Sequence, residues 1–138
     1  MTFEELKADV RTLTNRTDLD AALPLFVQMA EDEFKGLRVR QMVTRVTLAL
    51  TGPWADLPTD FLAERSATAA GEPLTFVTLE ALEATWDGEK GTPEIYTVDA
   101  GRLRFYPEPT GACAVEFTYY AKPAPLTEDQ GNWIAEQY

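Results

Sequence analysis

Hydrophobic positions keep a helical period over the first third of this chain and a strand period over most of the rest. Phe3, Leu6, Val10 and Leu13 fall at i, i+3, i+7 and i+10, which makes one apolar stripe on a helix. Thr2-Phe3-Glu4-Glu5 fits a capping box, and Glu4, Glu5, Arg11 and Arg16 complement the helix dipole. Asn15-Arg16-Thr17-Asp18 breaks the pattern. A second stripe follows in Leu23, Phe26, Val27, Ala30, Phe34 and Leu37. Asp18 or Asp20 is its expected cap, Pro24 fits its first turn, and Glu31-Asp32-Glu33 belongs partly to its wet face. The short connection predicts an antiparallel helical hairpin over 1–38.

From Met42 the period is two. Met42, Thr44, Val46, Leu48 and Leu50 alternate with Val43, Arg45, Thr47 and Ala49, a strand ended by Thr51-Gly52-Pro53. Residues 54–61 read as a loop anchored by Trp54 and Phe61, and Phe61 to Ala69 as a further strand. Thr78 caps a short helix over 79–86, with Leu79, Leu82 and Trp86 on one face. Gly91 to Pro125 reads as a meander of three strands, Ile95–Val98, Leu103–Tyr106 and Ala114–Ala121. Its expected turns are Asp99-Ala100-Gly101 and Pro109-Thr110-Gly111. On the last strand Val115, Phe117 and Tyr119 share one face, and Glu116, Thr118 and Tyr120 the other. The expected cover for the apolar face is the helical hairpin and the 42–50 strand, leaving loops 87–91 and 107–111 free. Lys122-Pro123-Ala124-Pro125 is stiff and extended, and Asn132 caps a final helix start.

The fold class is therefore α+β. A helical hairpin packs on a mostly antiparallel sheet of about five or six strands, either a small sandwich or a partly open barrel, with a short inserted helix and a C-terminal helix start. At 138 residues with 45% hydrophobic content, residues 1–138 fit a single domain: hairpin 1–38, β-rich middle 42–123, helix start 126–138. A net charge of −11, with twelve scattered Lys and Arg, opposes a protein that grips nucleic acid by phosphate neutralisation. Cys113 is the single cysteine, so neither an internal disulfide nor a cysteine-based zinc site can form, and its expected place is the core. No apolar run approaches the ~20 residues of a membrane helix.

The inventory for catalysis is thin. Absence of histidine removes Ser-His-Asp and Cys-His arrangements and the commonest metal ligand. No phosphate-cradling or dinucleotide glycine motif occurs. Asp56 and Asp60 beside Trp54 are the acid pair to weigh for glycoside hydrolysis, against the plainer reading of a surface loop with Asp60 capping a turn. Trp54, Trp86 and the tyrosines could equally line a carbohydrate- or ligand-binding face. No catalytic residue, cofactor or metal is assigned, and elimination leaves surfaces that bind other protein chains.

One ordered set of motifs points further. Asp56-Leu57-Pro58-Thr59-Asp60-Phe61-Leu62 is followed by Gly91-Thr92-Pro93-Glu94-Ile95-Tyr96, then Arg104-Phe105-Tyr106-Pro107-Glu108-Pro109. Val115 through Pro123, Pro125-Leu126-Thr127 and Asn132-Trp133 complete it. The series resembles the head–tail adaptor (connector) proteins of tailed bacteriophages over nearly the whole chain. The resemblance implies a structural, non-enzymatic virion component at the head–tail junction, made in the bacterial cytoplasm, with relatives in prophages and gene-transfer agents. It implies a ring matching the portal's twelvefold symmetry, with portal and tail or nozzle proteins as partners and DNA passing without specific binding. Isolated chains are then expected to be monomeric or weakly associated. Stopper and terminator proteins of the tail are the neighbouring alternatives. In that family the C-terminal helix runs on and helps dock the adaptor to the portal, so this chain reads as cut short at Tyr138. By that resemblance Lys122, Pro123, Leu126, Trp133, Ile134 and Tyr138 are the candidate portal or neighbour interface.

Overall fold

The computed structural model describes residues 1–137. Among the described residues four α-helices and eight strands form two compact units, one of residues 1–42 and 122–137 and the other of residues 43–121.

In the first unit, α1 (Phe3–Thr14) opens with the expected capping box. Thr2 Oγ1 accepts from the Glu5 amide at 3.3 Å, and the Glu5 carboxylate accepts from the Thr2 amide at 2.7 Å. Asn15, in the left-handed region at φ 51°, closes it. Helix α2 (Leu23–Lys35) has Pro24 in its first turn, but neither aspartate caps it: Ala22 is the N-cap and no side chain serves. Asp20 is bound instead by Arg11 and Asp18 by Arg16, and a guanidinium satisfies these carboxylates better than a backbone amide. The Arg11 contact holds the Asp20 carboxyl below its ordinary range. The hairpin has a thin interior, since no α1 side chain and only Leu23 of α2 is fully buried. A 3-10 turn at Arg40–Met42 buries Met42.

The second unit is a sandwich. One sheet runs in the order β1 (Val43–Leu50), β8 (Cys113–Ala121), β3 (Phe61–Ala69), β4 (Glu72–Pro73), all antiparallel. The other runs β2 (Trp54–Asp56), β7 (Arg102–Tyr106), β6 (Ile95–Asp99), β5 (Thr75–Phe76), with β5 and β6 parallel. Leu50, Val115, Phe117 and Tyr119 from the first sheet meet Tyr96, Leu103 and Phe105 from the second in one buried cluster. Each such side chain contributes about 1.5–3 kcal/mol relative to exposure. Helix α3 (Leu79–Thr85) is capped by Thr78, which accepts from Ala81 at 3.2 Å, and it buries Leu82.

The meander divides. Strands β6 and β7 form a hairpin across Ala100 and Gly101, whose φ of 49° and 81° suit its tight turn. Strand β8 then crosses to the other sheet. The link 107–112 carries two prolines, which lack the amide a continuing ladder needs, and it is too long for a two-residue hairpin. The cover for the β6–β7 apolar face is therefore the β1–β8–β3 sheet. Loops 87–91 and 107–111 are stitched together, Gly91 donating to the Glu108 carbonyl at 2.8 Å. Strand content exceeds the expectation because β2, β4 and β5 have only two or three residues.

Candidate interaction surface

Most of the residues expected at an interface lie in the first unit, and one carboxylate organises them. Glu31 on α2 accepts from the Leu126 amide at 2.9 Å and from Asn132 Nδ2 at 2.8 Å through the same oxygen. Asn132 is buried and works in both directions. Its Nδ2 also donates to the Ala124 carbonyl at 2.9 Å, while its Oδ1 accepts from the Ala135 amide at 3.0 Å and caps α4 (Trp133–Gln137). The Phe3 amide donates to the Thr127 carbonyl at 2.9 Å. Gly131 passes so close to the N-terminus that a Cβ there would lie 2.5 Å from the Met1 carbonyl oxygen.

This strap fixes Leu126, Trp133 and Ile134. Trp133 meets Phe34 edge-on, with ring centroids 6.0 Å apart. Ile134 joins Leu6, Val10, Leu13, Val27 and Ala30 around an apolar groove of ≈ 340 Å³ rimmed by Asp9 and Glu31. Leu126 lines that groove and a larger one of ≈ 520 Å³ beside Phe3, Pro24 and Val27. Lys122 is exposed and Pro123 half-buried on the lead-in. Tyr138 lies outside the described residues. The periodicity assigns Glu31 to the wet face of α2, and only the return of the C-terminal segment makes it an acceptor hub.

Apolar exposure is concentrated here. Of the eight large hydrophobic residues exposed among the described ones, Met1, Leu13, Leu25, Phe26, Met29 and Leu37 belong to this unit, so its surface is the stickier of the two. Phe26 and Leu37, expected inside, are 53% and 50% exposed, and Leu25 and Met29 continue the Phe26 patch along α2.

The chemistry weighed in the second unit is built differently from a catalytic pair. Tyr119 donates to Asp60 at 2.7 Å, while Asp56 is 94% exposed with Arg102 4.0 Å away. Trp54 and Trp86 both hold Arg104, whose guanidinium carbon lies 4.7 Å and 5.5 Å from their centroids, so each ring already spends a face that a sugar would need. Tyr106 packs on Trp86 and donates to Asp87 at 2.9 Å. Among the described residues no group of three acidic or sulfur ligands could hold a metal ion, and no helix is long and apolar enough to cross a membrane. Cys113 is free and packs partly buried against the core cluster.

Among known proteins, the family model described as SU10 adaptor protein matches residues 1–138. No curated protein matches the sequence.

Proposed function

The chain belongs to the SU10 adaptor protein family, a phage adaptor family, and from that premise we propose that it is a structural, non-catalytic component of the head–tail junction of a tailed phage or phage-like particle. Copies form a ring, twelvefold to match the portal, between portal and tail proteins, and the genome passes through it. Residues 1–138 act as one protomer, and gene-transfer agents are among the particles such a protein serves. The segment of Lys122, Pro123, Leu126, Trp133 and Ile134, continuing to Tyr138, meets the portal or the neighbouring protomer.

The observation that carries this reading is the exposed apolar patch Leu25, Phe26 and Met29, 53–58% exposed on a helix with Leu23 as its only buried residue. Apolar surface of that kind is stable in a monomer only as a small patch, and it marks contact with other chains. The acidic character fits the passage of DNA, because a surface of the same sign as the phosphates lets the duplex slide without holding it. Co-expression with the portal protein of the same genome tests the proposal. The portal should co-purify with the wild-type chain, and Leu25→Ser/Phe26→Ser/Met29→Ser should abolish recovery while far-UV circular dichroism stays unchanged. Failure of the full-length wild-type pair to associate would refute it.

A further inference from the structure

We propose that the free edge of β1 is an augmentation site for an extended segment of a second protein, one carrying a carboxylate opposite Arg45. The inference stands apart from the adaptor reading and rests on the sandwich alone.

Every open sheet has two edges, and proteins blunt them to prevent stray strand pairing. Three of the four edges here are blunted. Strand β4 is the dipeptide Glu72–Pro73, whose proline has no amide to offer. Strand β5 has two residues, and β2 has three, preceded by Pro53 and ending in Asp56. Strand β1 is the exception. It runs eight residues, Val43–Leu50, with neither proline nor glycine, and pairs with β8 in unbroken register from Val43↔Tyr120 to Leu50↔Cys113. On its other side no backbone hydrogen bond is formed among the described residues. In an antiparallel pair about half of a strand's amides and carbonyls face away from the partner, so a full row stays open along β1.

The side chains define what fits. Val46 and Leu48 point to the core yet remain half-buried, because no strand flanks them outside. An incoming strand with apolar residues at alternate positions would complete that layer. On the opposite face Arg45, Thr47 and Ala49 are exposed. Arg45 is the only charge on the strand and has no ion pair among the described residues. A carboxylate directly across from it makes a favourable cross-strand pair. A second copy of the chain fits worse, since it brings its own −11 to the contact.

The test uses the full chain and a labelled peptide, acetyl-Thr-Val-Thr-Val-Glu-Val-Thr-Val-amide, followed by fluorescence anisotropy. Saturable binding is expected, with hydrogen exchange slowed in Val43–Leu50 and not in β2 or β5. The exposed Arg45→Glu change should weaken binding about tenfold, and replacing the peptide's glutamate by lysine should restore it. The proposal is overturned by absence of saturable binding to the wild-type chain, by affinity indifferent to the charge swap, or by binding that leaves β1 exchange unchanged. Self-association of the chain that the peptide reverses would also overturn it, by making a second copy the occupant.

Discussion

Two side chains show how much of the fold hangs on single polar contacts. Tyr119 is buried in the sandwich and donates to Asp60, and its hydroxyl pKa is pushed up to about 12, first by burial and then by that hydrogen bond. Tyr96 is shifted in the same direction by burial and by its 2.8 Å bond to Glu64, which links the two sheets. The sign follows from linkage. A phenol with a raised folded-state pKa contributes stability that is complete below its ordinary value of 10 and lost as pH rises through about 12. Tyr119→Phe should therefore cost about 1–2 kcal/mol at neutral pH, by leaving Asp60 without its donor. It should also flatten the loss of stability above pH 10, and urea melts across the pH series read both effects. Asn132 is the counterpart in the other unit. Asn132→Ala removes two donated bonds and the α4 cap, at a cost of about 2–3 kcal/mol. Limited proteolysis should then cut within 122–137 faster, and an unchanged rate would show that the strap holds without it.

Helices and strands were legible to different depths. The α1 cap, β1, β3, α3, the β6–β7 turn and the alternating faces of β8 follow from local signals that each element carries within itself. What stayed hidden depended on partners distant in sequence. Asp18 and Asp20 look like caps until arginines claim them. Phe26 fits the apolar stripe of α2, yet the structure leaves it exposed, because periodicity reports which residues share a face and not whether that face is covered. The crossing of β8 to the first sheet was invisible for the same reason, since a proline-rich link is compatible with either sheet. The candidate segment 122–134 was marked by resemblance, while its anchor Glu31 carried no signal of its own. Helix α2 bears the prediction at this scale. Single changes Leu25→Ser or Met29→Ser should leave the melting temperature within a few degrees, because exposed side chains away from special features change stability by about 0.5 kcal/mol or less. Each should measurably weaken portal recovery, and a drop in stability without loss of recovery would remove the patch from the interface.

For the whole molecule, charge sets the conditions of assembly. Each chain carries −11, so the proposed ring would multiply like charges, and salt shortens their reach to about 10 Å at 0.1 M. Light scattering of the isolated chain should report a monomer or weak association at low salt, with association rising as salt is added. A stable twelve-subunit ring in low salt would contradict this. The register of Val43 with Tyr120 has a further consequence. The chain enters the sandwich and leaves it on neighbouring residues of paired strands, so residues 43–121 form an insertion whose two ends already lie side by side. Expressed alone, 43–121 should keep cooperative unfolding and near-ultraviolet dichroism from its buried tyrosines, and a two-residue Asn-Gly bridge in its place should let 1–42 run directly into 122–138.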